Sequence, residues 1–262
     1  MPKFRLLATV AFALVASPVA VLAQSSAKSL EGMWSDPPAT PEDMPCFIFC
    51  TQAGMDYLGK LLADPKNDDR PFGALMAEAG AYGVREYIRP RLSAAALATF
   101  PLDELKDDPG YQHCEPWGMA RQLIAPHQLD LRRAGDHLEM HYGEWDAHRT
   151  VHMDGRAVPE RTQPSPMGYS VGHYEGGTLV IETSHIRANI TQWWSKHSDQ
   201  LRITERYVRD GDRLLMTAIM EDPWGLREPI EIKKAWGWAP DQKIYPYVDC
   251  KPAADSAAAG GK

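Results

Sequence analysis

The stretch DHLEMHYGEWDAHRTVHMDGR, residues 136–156, decides the fold. Apolar and polar residues alternate on both sides of GEWD (143–146), which is the pattern of two antiparallel strands joined by a hairpin turn. With GEWD as the turn, His141 lies directly opposite His148, and opposed residues share one side of the sheet. This register predicts one apolar face, with Arg149 beside it, and one face that carries four histidines.

Similar alternating segments follow one another from Met119 onward. Short links such as RDGD (209–212) favour sequential antiparallel neighbours, because parallel strands need a long crossover. The predicted strands lie at 120–125, 128–133, 136–143, 147–154, 178–185, 200–209, 213–221 and 229–238, with a further candidate at 244–249. Eight or nine such strands close on themselves or pack as two sheets. We expect a mainly β fold, an antiparallel up-and-down barrel of the lipocalin-like or calycin-like class.

Two features precede these strands. Gly32–Trp34 (GMW) resembles the opening signature of lipocalin-type barrels, in which a tryptophan closes one barrel end. Residues 51–107 are rich in alanine and leucine and repeat apolar residues at three- and four-residue spacing, which predicts helices. Pro90 and Pro101 divide this helical segment into pieces. We expect the segment to cover part of the sheet or one barrel mouth.

The first 23 residues have the composition of a secretory signal peptide. Two basic residues precede the apolar run 6–16, and small residues precede an expected cut before Gln24. The apolar run is too short for a stable membrane-spanning helix. We expect a periplasmic or secreted protein without a membrane anchor. The predicted parts are a signal peptide (1–23), one barrel domain (24–250) and a disordered tail (251–262).

Charge and motifs limit the possible partners. The formal net charge is -7, which argues against nucleic-acid binding because phosphate recognition needs a basic surface. The sequence contains no nucleotide-binding fingerprint in a strand-to-helix context. We therefore expect no cofactor, and a small apolar or aromatic molecule as the partner. No oligomeric state follows from the sequence.

Export would make the four cysteines candidates for two disulfides, and four cysteines allow three pairings. We favour Cys46 with Cys50 and Cys114 with Cys250, since the second bond would tie the start of the sheet region to the end of the chain. Metal ligation or a redox pair is the alternative. The CxxxC spacing, however, lacks the two-residue interval of zinc and thioredoxin motifs.

Several motifs together resemble a large group of exported bacterial proteins of unknown function. The matching pieces are Arg149, MDGR at 153–156, GYSVGHYEGGTLVIET at 168–183, HSDQL at 197–201, ERY at 205–207 and EDP at 221–223. The resemblance covers about residues 114–250 and implies an exported protein without implying an activity. This chain differs from the group at His152 and Gly177.

The candidate catalytic residues lie on the histidine-bearing hairpin and in two links, 155–177 and 186–199, that we expect to form loops at the barrel rim. A histidine beside a carboxylate is the minimum for a proton shuttle, and a tyrosine can supply the acid. The predicted catalytic residues are His152, Asp154, Tyr169, His173 and His197. They predict an exported small-molecule enzyme with cofactor-independent proton-transfer chemistry, of lyase or isomerase type.

Aromatic residues suggest how a substrate would bind. Trp145, Trp193 and Trp194 lie in predicted loops and are the candidate substrate-binding residues for an apolar or aromatic molecule. We expect the barrel cavity to receive this molecule. Core packing is the alternative explanation for each tryptophan. The charged residues Glu182, Glu205, Arg206 and Glu221 are read as solvated or cross-strand pairs.

Alternatives stay open for the histidine face, which can also line a polar cavity and act in acid/base catalysis. It can be a solvated exterior of the sheet, which needs no function. It can bind zinc or copper, in which case the ligands would be His137, His141, His148 and His152. The protein can also be a non-catalytic periplasmic carrier of hydrophobic ligands, which needs an aromatic cavity and no convergent histidines.

Overall fold

The fold is given by a computed structural model of the chain. It describes residues 29–35, 51–102, 104–125, 127–191, 193, 195–246 and 250–252. Several predictions fall outside these residues, namely the signal peptide (1–23), the Cys46–Cys50 pair, Trp194, half of the candidate strand 244–249 and most of the tail.

Among the described residues, six α-helices lie between the first strand and the main run of strands. They are α1 (Gln52–Ala63), α2 (Phe72–Ile88), α3 (Ala94–Leu97), α4 (Glu104–Asp107), α5 (Pro109–His113) and α6 (Met119–Gln122), with 3₁₀ helices at Pro65–Asn67 and Arg89–Arg91. Thr51 caps α1, since its hydroxyl accepts a hydrogen bond from the Gly54 N–H at 3.1 Å. Val84 and Ile88 of α2 join the main hydrophobic core. The predicted helical segment is confirmed, and it packs on the barrel.

Eleven strands are described. They are β1 (Gly32–Ser35), β2 (Leu129–Ala134), β3 (His137–Tyr142), β4 (Ala147–His152), β5 (Tyr169–Glu175), β6 (Thr178–Ser184), β7 (Asn189–Ile190), β8 (Lys196–His197), β9 (Arg202–Asp210), β10 (Arg213–Glu221) and β11 (Ile230–Trp238). The strands β7 and β8 form a separate two-stranded ribbon. The other nine close into a barrel in which each strand neighbours the next along the chain, so the predicted barrel is confirmed.

One pair of neighbours in this barrel is parallel. A closed ring of antiparallel neighbours alternates in direction and needs an even number of strands, so a ring of nine must contain a parallel pair. That pair is β4 and β5, whose register joins Val151 with Ser170 and His152 with Val171. Residues 153–168 form the crossover that parallel strands require. All other neighbouring pairs in the barrel are antiparallel.

The register of the β3–β4 hairpin is the predicted one. His141 pairs with His148, and His137 pairs with His152. The turn is tight because Trp145 and Asp146 both adopt positive φ angles, of 58° and 50°. These two residues reverse the chain direction, and the Ala147 N–H donates a hydrogen bond to the Glu144 carbonyl at 3.3 Å across the turn. GEWD is therefore the turn, as the alternation predicts.

Three assignments made from the sequence are wrong, and one of them is the link 186–199, predicted as a loop, which contains the short strands β7 and β8. Residues 120–125, predicted as a strand, belong to α6 and the turn after it, and Met119–Leu123 are all buried rather than alternating. The link 155–177, predicted as a loop, contains strand β5. Its signal is masked by Gly172, where a Cβ would lie 2.8 Å from the Val151 side chain, so the glycine is needed for close packing.

The barrel interior is a packed core. The inward side chains are mostly aliphatic, and α6 contributes Met119, Ala120 and Leu123 to the same cluster. The inward apolar residues include Leu129, Leu131, Leu138, Met140, Val151, Leu179, Ile181, Ile203, Leu214, Met216, Ala218, Met220, Ile230, Ile232 and Trp236. Burial of apolar surface on this scale is the main force that closes the barrel.

The GMW segment forms β1 and supplies a buried tryptophan. The Trp34 indole donates to the Leu30 carbonyl at 2.9 Å and meets the Trp238 ring edge to face at 4.9 Å. The Arg209 guanidinium lies over both rings. Gly32 has a φ of 131°, and a Cβ there would collide with the Trp238 ring. The tryptophan and glycine of this motif thus have direct packing roles.

A disulfide joins Cys114 to Cys250, as predicted. It ties the segment between α5 and α6 to the end of the described chain. No helix within the described ranges is long and apolar enough to cross a lipid bilayer.

Candidate active site

The structure contains a surface cleft of about 470 Å³ beyond one end of the barrel. Three segments meet there: the α4–α6 region, the β7–β8 ribbon with the residues before it, and the β10–β11 link. The lining residues are Asp107, Pro109, Glu115, Arg187, Ala188, Asn189, Ile190, Lys196, His197, Ser198 and Trp224. None of them belongs to a barrel strand. The cleft is therefore separate from the barrel cavity that the sequence predicts as the ligand site.

His197 is the buried titratable residue of this cleft. It lies at the end of β8, where it pairs with Asn189 of β7, and it is 4% exposed. Its Nδ1 is 3.0 Å from the Ser198 carbonyl oxygen. A carbonyl can only accept a hydrogen bond, so we assign the proton to Nδ1. The tautomer that results carries its lone pair on Nε2, an atom that is buried and has no hydrogen-bond partner among the described residues.

Burial lowers the pKa of His197 below its usual value, and the hydrogen bond to Ser198 and the charge of Asp222 oppose this only in part. Removing an imidazole from water disfavours its charged form. His197 is therefore neutral at pH 7. A neutral imidazole with a fixed tautomer and an unprotonated Nε2 meets the protonation requirement of a general base.

Asp222 holds the walls of the cleft together. One carboxylate oxygen accepts from the Ser198 N–H at 2.8 Å and the other from the Ser198 hydroxyl at 2.6 Å. The second oxygen also accepts from the Trp224 N–H at 3.2 Å. The HSD motif and the EDP motif are thus joined by one buried carboxylate. This contact fixes Ser198, whose carbonyl in turn orients His197.

The remaining predicted catalytic residues lie elsewhere. The His152 ring stacks on Tyr169, with ring centres 4.8 Å apart. Asp154 binds Arg156 in an exposed ion pair, which holds the pKa of Asp154 at about 2. His173 is exposed and contacts Glu175. The structure brings His152 and Tyr169 together, but neither they nor Asp154 and His173 line the cleft that contains His197.

The predicted substrate-binding tryptophans do not line the cleft either. Trp145 lies in the β3–β4 turn near Trp117, with ring centres 6.4 Å apart. Trp193 is 3% exposed in the link between β7 and β8, so it packs in the core. Trp194 lies outside the described residues. Trp224, the residue directly after the EDP motif, does line the cleft.

A second polar cluster is buried inside the barrel. The Arg149 guanidinium lies 2.7 Å from a Glu205 carboxylate oxygen, and both side chains are at most 1% exposed. It also donates to Ser170 at 2.8 Å and to Thr183. Glu205 is therefore not the solvated residue that the sequence reading expects. The signal was present, because Glu205 falls on the apolar side of β9, two residues from both Ile203 and Tyr207.

The phenols around this ion pair stay protonated. Burial raises the pKa of Tyr142 to about 12, although the Arg149 charge acts in the opposite direction. Burial also raises the pKa of Tyr207, and the charge of Glu205 adds to it. Burial alone would lower the pKa of Arg149, but the Glu205 carboxylate more than offsets this, so the guanidinium remains charged. The Arg149 side chain is surrounded by internal partners, and the cluster is a structural element of the core.

The four histidines of the β3–β4 hairpin separate into three environments. His137 contacts Asp136 and Glu139, both at 3.0 Å. His152 stacks on Tyr169, as described above. His141 and His148 stack on each other with ring centres 4.0 Å apart. The four do not converge on one point, and only the last two remain close.

Comparisons with known proteins add no relative. No family model, no curated protein and no solved structure matches this chain. The functional assignment therefore rests on the geometry of the cleft.

Proposed function

We propose that this protein is an exported small-molecule enzyme that catalyses cofactor-independent proton transfer of the lyase or isomerase type, with His197 as its base. The observation that carries the proposal is the neutral, oriented His197 imidazole in the wall of a cleft large enough for a small organic molecule. The apolar side chains of Ile190 and Trp224 suit a substrate with an apolar or aromatic part.

The cleft also carries two cationic side chains that can stabilise a negative charge generated by a base, beside the acidic Asp107 and Glu115. His197 Nε2 would take a proton from a carbon next to a carbonyl, and the C–H electron pair would form an enolate. Arg187 and Lys196 line the same cleft and can offset the charge on its oxygen. The proton then returns to another carbon in an isomerase step, or the electron pair expels a leaving group in a lyase step.

Two observations support export. The Cys114–Cys250 disulfide is typical of oxidising compartments. The composition of residues 1–23 is that of a secretory signal peptide. The location proposed is the periplasm or the exterior of the cell.

A proton-exchange assay tests the enzyme proposal. The probes are phenylpyruvate and benzylacetone, an anionic and a neutral aromatic ketone, incubated with the protein in D2O and followed by NMR. We expect wild-type protein to accelerate deuterium entry next to the carbonyl, and His197→Asn to lower the accelerated rate by about 10²- to 10⁴-fold. Circular dichroism checks that the variant is folded.

The role of the positive charge of Arg187 is tested with the same two probes. Arg187→Gln is expected to raise KM for phenylpyruvate and to leave KM for benzylacetone unchanged, whereas the exposed Arg206→Gln changes neither. Binding of a ketone without exchange in wild-type protein would contradict an enzyme and support the carrier. Exchange that survives His197→Asn would contradict the role of this histidine.

A further inference from the structure

A cluster of metal-ligand side chains lies on the outside of the β3–β4 hairpin. His141, Asp146 and His148 each offer one ligand atom, and these atoms all lie within 4.8 Å of one another. The His141 Nε2 is 2.6 Å from an Asp146 carboxylate oxygen. The cluster is separate from the cleft, because none of its members lines it.

The backbone fixes these three residues. His141 and His148 are directly opposed in the antiparallel register, so their side chains leave the sheet on the same side. The positive φ of Asp146 turns the chain back so that its carboxylate reaches His141. Aspartate is among the few residues that accept this conformation readily. The site is therefore built on strands and a tight turn rather than on a long loop.

A buried carboxylate lies beside the cluster. Asp130 of β2 is the register partner of His141, which puts it on the same outward side of the sheet. Although it faces outward, Asp130 is only 6% exposed. One of its oxygens binds Arg132 at 2.6 Å, and the other is buried without a hydrogen-bond partner among the described residues. A buried carboxylate oxygen is costly to leave unpaired, and it favours a cation nearby.

We propose that His141, Asp146 and His148 bind one divalent transition-metal ion of the zinc class, with Asp130 as the neighbouring carboxylate. Imidazole and carboxylate ligands are those that zinc, copper and nickel accept. Two ligand atoms on tetrahedral zinc lie about 3.3 Å apart, so the present spacing needs only side-chain rotations. The metal would replace the hydrogen bond between His141 and Asp146.

Zinc titration by isothermal calorimetry tests this proposal on untagged, chelator-treated, full-length mature protein. We expect one zinc ion per chain. His141→Asn and His148→Asn should each weaken binding by at least about 100-fold, since a direct ligand contributes more than the roughly 10- to 100-fold of outer partners. Asp130→Asn should weaken it by about 10-fold.

The matched control is His173→Asn, which removes an exposed histidine of β5 that contacts the Glu175 carboxylate on the same strand, away from the cluster. It should leave zinc affinity unchanged. Cobalt(II) added in place of zinc should give the intense visible absorption of a four- or five-coordinate ion, and this absorption should disappear in His148→Asn. Non-stoichiometric binding that falls equally with any histidine removed would overturn the proposal, as would the absence of binding.

Discussion

The two sides of the β3–β4 hairpin carry charge in opposite ways. On the inner side, Arg149 is enclosed by Glu205 and three hydroxyl groups within the barrel. On the outer side, His141 and His148 are partly or fully exposed, stack on each other, and lie beside Asp146 and Asp130. The strands are the same, and the alternation of side chains places adjacent residues in these two environments.

This difference between interior and surface charges shows which charged side chains can bind a ligand. An ion pair in the interior is held by every partner around it, so it can define the barrel but cannot accept a ligand without breaking the core. A titratable group at the surface, or in the wall of a cleft, keeps a free ligand atom. His197 belongs to the second kind, because it lines the cleft and its buried Nε2 has no hydrogen-bond partner among the residues that the structure describes.

The largest expected effect follows from breaking the interior pair. Glu205→Gln removes the negative charge but nearly keeps the shape, and it leaves the Arg149 charge buried and unpaired. We expect the free energy of unfolding to fall by about 3–5 kcal/mol. Guanidinium denaturation followed by tryptophan fluorescence measures it.

Glu175→Gln is the control for this change, since Glu175 pairs with Arg206 at the surface, where both side chains are nearly half exposed. It should leave the denaturation midpoint unchanged. Replacing both Arg149 and Glu205 by leucine should cost less than the two single leucine variants added together. Equal loss in Glu205→Gln and Glu175→Gln would remove the contrast between interior and surface charge.

An intermediate effect is expected at the cleft, where Asp222 is buried outside the barrel. Asp222→Asn weakens its hydrogen bonds to Ser198, and Ser198 orients His197. We expect a loss of about 2 kcal/mol, in the range of hydrogen bonds to charged groups, measured by urea denaturation. The exposed Asp199→Asn, in the same HSD motif, should have no effect. A stable Asp222→Asn variant would show that these loops are held by other contacts.

The smallest effect concerns pH. The folded pKa of His197 lies below its unfolded value of 6.5, so the unfolded chain binds more protons as the pH falls. The stability contribution is present above pH 6.5 and is lost as the pH falls from there through the lowered folded value. Urea denaturation between about pH 5 and pH 7.5 should show this slope reduced in His197→Asn. An unchanged slope in that variant would mean that folding does not lower the pKa of His197.

The barrel could be predicted from the sequence because period-2 alternation is a direct result of having one buried face. The GEWD turn then fixed the register, and the pairing of His137 with His152 and of His141 with His148 is confirmed. The Cys114–Cys250 disulfide is confirmed as well. Strand β5 was missed because Gly172, required by close packing, interrupts the pattern that reveals strands.

The candidate site was less accessible to sequence reasoning. His197 could be selected by its motif, but its burial depends on the ribbon β7–β8 and on Asp222, which is 24 positions away from Ser198. No periodicity reports how such links fold against each other. Arg149 lay on the apolar face in the predicted register, but its partner Glu205 comes from a strand 56 positions later, and alternation alone does not pair them.

The odd number of barrel strands has a mechanical consequence. The parallel joint between β4 and β5 has a register of only two residue pairs, so its backbone hydrogen bonds are few. Arg149 starts on β4 and reaches Ser170 on β5, Thr183 on β6 and Glu205 on β9. One guanidinium thus holds four strands together across one of the two places in the barrel where the ladder is only two residue pairs long, so side chains help to keep the barrel closed there.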